Sequence, residues 1–250
     1  MEDIISIVIP VHNAESCLEE TVQSVFDQTY GDYECILVDD GSTDGSRAVM
    51  EKLAGRDKRV RLVINEGKHG AANARNAGIK AAKGRYLAYL DADDKWHKDK
   101  LKRTLKFMKK QDAAFVFTGY EFGDEECRGT GKKVHVPDSL SYDEALSRTV
   151  IFTSTVMLDM KRLGKKVIMM PDVESEDTAC WWQILKTGVS ARGLNANLVT
   201  YRRTKGSLSS DKMTAIRRIW QLYRKQEGLG LIKSALCFTG WAFRATARRL

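Results

Sequence analysis

Three carboxylates crowd into Asp91-Ala92-Asp93-Asp94, directly after the apolar run Tyr86–Leu90. Like charges this close repel one another, and a hard cation neutralises them. Oxygen ligands at such a strand end suit Mg2+ or Mn2+ bridging to a diphosphate. The same residues also read as the acidic first turn of a helix, where they favour its dipole. A second acidic cluster, Asp39-Asp40-Gly41-Ser42, follows Tyr33–Val38. A carboxylate here can accept the imide N–H of a uracil or thymine ring while Gly41 turns the backbone tightly. Taken alone, an Asx turn into a capped helix fits as well. Asn73-Ala74-Arg75-Asn76-Ala77-Gly78 puts Arg75 on a small-residue helix whose start carries Lys68, His69 and Gly70. That setting suits phosphate, or only tight packing. Glu174-Ser175-Glu176-Asp177 precedes Trp181-Trp182. In a pocket, a carboxylate at that point serves as general base toward an acceptor hydroxyl, with one tryptophan stacked on a sugar and the other in the core.

The elements that carry these clusters alternate regularly. Ile4–Ile9 is a continuous apolar run stopped by Pro10, the pattern of a strand buried on both faces. A helix is expected over about Glu15–Phe26, then a strand at Tyr33–Val38. Next comes a helix carrying Ala48, Val49 and Leu53, capped by Ser42 or Thr43. Val60–Ile64, Tyr86–Leu90 and Ala113–Thr118 read as further strands, with helices at Ala71–Ala82 and Lys98–Lys110 between them. Strand–helix alternation at this spacing demands parallel pairing and right-handed crossovers, hence an open, doubly wound α/β sheet with helices on both faces. Ligands in such sheets sit beyond the carboxyl ends of the strands, and three polar clusters lie at those ends, after Ile9, Val38 and Leu90. Past residue 120 the rhythm breaks. Residues 121–140 read as a charged loop and the pieces up to Tyr201 as a cap with a second substrate surface. Helices are expected again near Met213–Gln226 and from Leu229 onward.

Composition narrows the class. The chain has 250 residues, 43% hydrophobic and 30% charged, with three prolines, which excludes disordered and collagen-like architectures. Its net charge of +8 is uneven: from Arg202 to Leu250 twelve Lys/Arg face two carboxylates, a local +10 that leaves −2 on residues 1–201. Nucleic-acid binding would need basic residues interleaved with aromatics over that body, so no nucleic-acid partner is expected. The five cysteines are scattered, without C-x-x-C or zinc spacing, which fits a reducing compartment. No signal peptide is expected, and the apolar stretch near Leu231–Phe243 is too short to span a bilayer. A glycine-rich dinucleotide turn, a P-loop and G-x-S-x-G are all missing. The D-x-D of haloacid-dehalogenase phosphatases follows the first strand and continues Gly-Thr, whereas Asp94-Lys95-Trp96 follows here.

Ile7-Val8-Ile9-Pro10-Val11-His12-Asn13, Val38-Asp39-Asp40-Gly41-Ser42-Thr43-Asp44, Ala74-Arg75-Asn76-Ala77-Gly78 and Leu90-Asp91-Ala92-Asp93-Asp94 resemble, in order and spacing, the family 2 glycosyltransferases. Glu176-Asp177 and Tyr201-Arg202…Gly206-Ser207-Leu208-Ser209 continue the match, which covers roughly residues 4–210. The resemblance implies a GT-A fold, with a nucleotide-sugar half over about 1–120 and an acceptor half over 121–210. It implies an enzyme that transfers a hexose or N-acetylhexosamine with inversion from a nucleotide diphosphate donor, UDP by family habit, in cell-surface polysaccharide or lipid-linked glycan assembly. Pro10, Val11, Glu15 and Asp40 would line the base and ribose site, Arg75 would lie near the nucleotide, and Asp91 and Ala92 would join the donor site. Asp93, with Asp91 or Asp94, would bind the diphosphate through Mn2+ or Mg2+, and Asp177 would be the base. Many relatives carry a histidine after Tyr-Arg where Thr204 stands here; Lys205 or Arg203 is the expected substitute cation. A scaffold that keeps the nucleotide pocket without turnover is the competing reading, and Thr204 is the feature in its favour.

Residues 211–250 form a basic tail. From Leu229, Lys233, Gly240, Arg244 and Arg248 make a polar stripe, opposite Leu231, Ile232, Leu236, Phe238, Trp241 and Phe243. A basic amphipathic helix with Trp and Phe suits an anionic membrane interface, which predicts a cytoplasmic enzyme peripheral on the inner face of the plasma membrane. Packing of the apolar face on the body is the other reading.

Overall fold

The computed structural model describes residues 3–203 and 212–247. Thr204, Lys205, the Gly206–Ser209 motif and Arg248 lie outside the described residues. The strands are β1 (Ile5–Val11), β2 (Tyr33–Asp39), β3 (Val60–Ile64), β4 (Tyr86–Tyr89), β5 (Lys95–Trp96), β6 (Phe115–Gly123), β7 (Gly129–Val134), β8 (Ser139–Leu140), β9 (Met157–Asp159) and β10 (Ala191–Arg202). The helices are α1 (Leu18–Phe26), α2 (Ser46–Arg56), α3 (Ala71–Ala81), α4 (Lys100–Lys110), α5 (Tyr142–Leu146), α6 (Met160–Leu163), α7 (Lys165–Ile168), α8 (Glu176–Leu185), α9 (Lys212–Gln221) and α10 (Leu231–Ala247).

One sheet runs β3-β2-β1-β4-β9-β6-β10-β5, with β7 on β6 and β8 on β10. Its first four strands are parallel, as the strand–helix alternation requires. In β1, Ile5, Ile7, Val8 and Ile9 are all fully buried, so the strand is covered on both faces. Each helix docks by an apolar stripe at helical spacing: Leu18, Val22 and Val25 on α1, and Leu101, Leu105 and Met108 on α4, whose lysines mostly point outward. Gly78 permits the closest approach: a Cβ there would lie 2.3 Å from Val8 Cγ1, so α3 rests directly on β1.

Three expectations change. The segment read as a charged loop is a hairpin, because β6 continues to Gly123 and β7 pairs back on it. The two expected halves share the sheet: β9 inserts antiparallel between β4 and β6, and β10 adds parallel to β6. No side chain caps α2 from Ser42 or Thr43; Asp44 instead accepts from the Ser46 amide at 3.0 Å.

The tail is rooted in the body. After α9 a π-helical turn, Leu222–Gln226, turns Leu222 and Tyr223 inward. Tyr223 stacks on Trp182 with ring centroids 5.5 Å apart and donates its hydroxyl hydrogen to the Leu146 carbonyl.

Candidate active site

The carboxyl ends of β1, β2 and β4 open onto one cavity of about 820 Å3. Pro10, Val11, Asp40, Asp91, Ala92 and Asp93 line it, so six of the residues singled out in the sequence share one wall. Parallel pairing makes this unavoidable: register places Val11 beside Asp39, and Leu90 donates its amide to the Val8 carbonyl.

At the β2 end Asp40 is buried and held by donors. Its Oδ1 accepts from Asn65 Nδ2 at 2.7 Å and faces His69 Nδ1 at 3.4 Å, and its Oδ2 accepts the Gly70 amide at 2.7 Å. Each carboxylate oxygen has two lone pairs, so Asp40 Oδ2 keeps capacity for one more N–H. Gly41 has φ +76°, and a Cβ there would sit 2.7 Å from the His69 ring. The positive φ is what requires glycine, because the exposed His69 ring could swing away. Glu15 does not line the cavity. Its Oε2 accepts the Gly45 amide at 2.9 Å, bracing the start of α2.

At the β4 end the three carboxylates separate. Asp93 faces the cavity, and burial, then the neighbouring Asp91, pushes its carboxyl above the usual range. Asp94 points inward and is fully buried: Oδ2 accepts from Ser154 Oγ at 2.6 Å and Oδ1 from the Arg202 amide at 3.1 Å. Asp94 thus anchors the turn instead of joining the cavity wall. Arg202 grips the same turn through its side chain, donating from Nε to the Asp93 carbonyl at 2.7 Å, from Nη1 to the Glu125 carbonyl at 2.6 Å and from Nη2 to Glu20 Oε2 at 2.8 Å.

Among the described residues no three His, Cys, Asp or Glu side chains are grouped to hold a cation by themselves. Asp93 and Asp91 nonetheless fit a divalent ion that takes its remaining ligands from a diphosphate and water, the usual habit of Mg2+. The repulsion from Asp91, which adds to burial in raising the Asp93 carboxyl, is what such an ion would relieve.

Arg75 does not line the cavity; it lies beneath it. Buried to 6% exposure, it donates from Nη2 to Asp91 Oδ1 at 2.6 Å and from Nη1 to Glu176 Oε1 at 2.7 Å. Burial works against its charge, but Asp91 and Glu176 outweigh it and raise the pKa. One guanidinium so ties the end of β4 to the first turn of α8. In that turn Asp177 Oδ1 accepts the Thr178 amide at 2.6 Å and Oδ2 faces Thr153 Oγ1 at 3.3 Å. Burial, then Glu176, pushes the Asp177 carboxyl up against the opposing pull of Arg75. A carboxylate of raised basicity is what proton abstraction near neutral pH needs. Ser175, immediately before, holds a left-handed φ of +61°, a backbone outlier at a candidate catalytic turn.

Neither tryptophan lines the cavity. Trp181 packs against Tyr89 and Phe115, and Trp182 stacks on Tyr223, both in the core. Arg203 lies over the Phe122 ring at 5.2 Å. Sequence reasoning assigned no role to His12, Cys17, Glu125 or Arg202, which line the cavity beside His69, the residue it had placed at a phosphate-suited helix start. His12 and Arg202 both stood inside quoted motifs, and for Arg202 the signal was its charge beside an aromatic.

Residues 6–166 match the family model described as glycosyl transferase family 2. A Bacillus subtilis chain that carries the name of a teichuronic acid biosynthesis glycosyltransferase, TuaG, is 42% identical over 248 residues, 99% of this chain and 98% of the relative. The Escherichia coli UDP-Glc:α-D-GlcNAc-diphosphoundecaprenol β-1,3-glucosyltransferase WfaP is 36% identical over 216 residues, 86% of this chain and 84% of its own. Among solved structures, mannosyltransferase PcManGT from Pyrobaculum calidifontis, in complex with GDP-Man and Mn2+, superposes with a TM-score of 0.71 over 98% of this chain and 70% of that one. At 18% identity that likeness concerns the fold.

Proposed function

The chain belongs to glycosyltransferase family 2 and has the GT-A fold, and from that premise we propose an inverting, metal-dependent transferase acting on a lipid-linked or envelope glycan. Its donor is a nucleotide diphospho-sugar, with UDP as the nucleotide. The observation that carries the reading is the buried Arg75, which ties Asp91, at the proposed diphosphate site, to Glu176 in the turn that bears Asp177.

Asp40 Oδ2 accepts the imide N–H of the uracil ring. Pro10, Val11 and Ala92 wall the nucleoside, and Asp93 with Asp91 would hold the cation. Bound there, Mn2+ or Mg2+ would offset the charge that grows on the departing diphosphate. Asp177 takes the proton of the acceptor hydroxyl as that oxygen bonds to the anomeric carbon. The bond from that carbon to the diphosphate breaks on the opposite face, its electron pair leaving with the diphosphate, so the configuration inverts. The name of WfaP specifies UDP-Glc as donor and a diphosphoundecaprenol acceptor, which supports both classes for this chain. The GDP-Man of PcManGT marks the base as a property of local contacts rather than of the fold. The enzyme works peripherally at the inner face of the plasma membrane; among the described residues no helix is long and apolar enough to cross one.

A thermal-shift panel of nucleotide sugars tests the donor and the cation together. A ligand at 100 times its Kd stabilises by about 2.7 kcal/mol. UDP-sugars are expected to raise the Tm strongly with Mn2+ and weakly without it. Equal shifts in both conditions would remove Asp93 from its role.

Arg202 acts through the turn it grips. Arg202→Gln is expected to raise the Mn2+ concentration giving half the maximal shift by about 10–100-fold, as loss of an outer-shell partner does. Arg202→Lys, which keeps the charge but loses the fork, is expected to fall between. Unchanged Mn2+ dependence in both variants would show that the turn holds its shape unaided.

A further inference from the structure

The last helix is apolar on two opposite faces. Its inner face packs on the body: Ser234 is fully buried, Phe238 and Cys237 are half-buried, and Trp241 donates from Nε1 to Thr149 Oγ1 at 2.9 Å. Phe238 and Trp241, expected from sequence on the membrane side, therefore belong to the seam with the body. On its outer face Ile232, Leu236 and Phe243 recur at helical spacing with 80%, 70% and 77% of their surface in water. A helix that is apolar all round is normally covered all round.

The neighbouring helix extends the patch. On α9, Met213, Ile216 and Trp220 recur at i, i+3 and i+7, exposed at 72%, 38% and 36%, while Ile219 is buried. The Trp220 ring meets Phe238 edge-on at 5.9 Å, so the two helices present adjoining apolar stripes.

Charge identifies the occupant. Arg217, Arg224, Lys225, Lys233 and Arg244 are exposed on the same two helices and the turn between them, and two of them meet body carboxylates, Arg217 at Glu174 and Lys233 at Asp143. From residue 212 onward the sequence holds one carboxylate, Glu227. That side chain is 2% exposed, paired with Lys186 and accepting from the Tyr142 hydroxyl. A second copy docking through a two-fold would set cations against the same cations. A nucleic acid would have no use for Ile232, Leu236 and Phe243. An anionic bilayer takes both halves of the pattern, the apolar side chains at its acyl boundary and the cations among its headgroups.

We propose that the outer faces of α9 and α10 together form one docking surface that seats in the interface of an anionic bilayer. This narrows the peripheral placement argued above to named side chains and rests on that placement alone. The surface is tied to the chemistry. Arg217 Nη2 reaches Glu174 Oε1 at 3.2 Å and Arg218 Nε lies 3.6 Å from Glu174 Oε2, in the segment that leads into Asp177. A chain seated this way holds its acceptor-activating turn close to where lipid-linked sugars emerge.

The test is co-sedimentation of the full chain with vesicles of phosphatidylglycerol and phosphatidylcholine, beside pure phosphatidylcholine, read together with UDP-sugar hydrolysis and light scattering. The wild type is expected to pellet with the anionic vesicles only. Ile232→Glu/Leu236→Glu/Phe243→Glu, and separately Met213→Glu/Ile216→Glu, are each expected to lower the partition by roughly tenfold or more, with Tm and donor hydrolysis unchanged. The proposal is overturned if the wild type ignores anionic vesicles or if both variants pellet like it. It is equally overturned if the substitutions turn a dimer into a monomer without affecting vesicle binding, which assigns the face to a second copy. Vesicle binding without donor turnover would count against the transferase reading and leave the docking surface standing; turnover without vesicle binding would do the reverse.

Discussion

Asp177→Asn is expected to lower transfer to the acceptor by about 10²–10⁴-fold, the span that a positioned general base contributes. Nucleotide-sugar binding is expected to persist, because Asp177 lies outside the cavity lined by Pro10, Asp40 and Asp93. The loss should not come from unfolding. Burial and Glu176 raise the folded-state pKa of Asp177, so its charged form is disfavoured by folding above that pKa. The asparagine variant, which carries no such charge, is therefore expected to be at least as stable at pH 7. The same shift sets the pH profile. The base is active only when ionised, so the acid limb of kcat is expected above the ordinary carboxylate range of about 4. Glu176→Gln removes the second cause of the shift and should move that limb to lower pH. Single-turnover assays on wild type and both variants check these outcomes. Transfer by Asp177→Asn at the wild-type rate would mean that another group takes the proton.

Arg75→Met is expected to produce the largest loss of stability, roughly 3–5 kcal/mol, because it leaves partly buried carboxylates on both sides without their cation. For a chain of this size that corresponds to a Tm lower by about 6–20 °C. Asp91 and Glu176 are 25% and 21% exposed, so water recovers only part of the lost interaction. Arg75→Lys keeps the charge but not the fork that reaches both carboxylates at 2.6 and 2.7 Å, and should fall in between. Arg75→Met combined with Glu176→Gln should lose less than the sum of the single changes, since one orphaned charge is gone. Urea and thermal denaturation of the wild type, the three single variants and the double variant checks this. A Tm unchanged in Arg75→Met would make the bridge incidental.

How much of this was legible in the chain depends on distance along it. The carboxyl ends of β1, β2 and β4 could be read because continuous apolar runs of that length are strands buried on both faces. Parallel pairing then gathers whatever follows them. The Asp39-Asp40 and Asp91–Asp94 clusters came from that rule without any contact being known, and the resemblance singled out Asp40 and Asp93 within them. Asp94 did not, because its inward turn depends on Ser154 and Arg202, which lie 60 and 108 positions away. Glu15 looked equivalent to its neighbours until Gly45 claimed its carboxylate. The tryptophans divide the same way: nothing local tells Trp182 that Tyr223 will stack on it. The tail posed a choice between body and membrane because its apolar residues exceed one face, and the helix has both an inner and an outer apolar face.

By itself the sequence determined the α/β class, the sheet edge that opens onto the cavity and the acidic residues delivered there, since these follow from local hydrophobic runs and the geometry of parallel strands. Only the tertiary structure decided which carboxylate faces the cavity, which guanidinium joins Asp91 to the turn bearing Asp177, and which side of the last helix stays in water. Those are matters of burial and pairing between segments far apart in the chain. The free energy of a carboxylate or an aromatic ring depends on the partners that fold against it, and residue order alone does not name them.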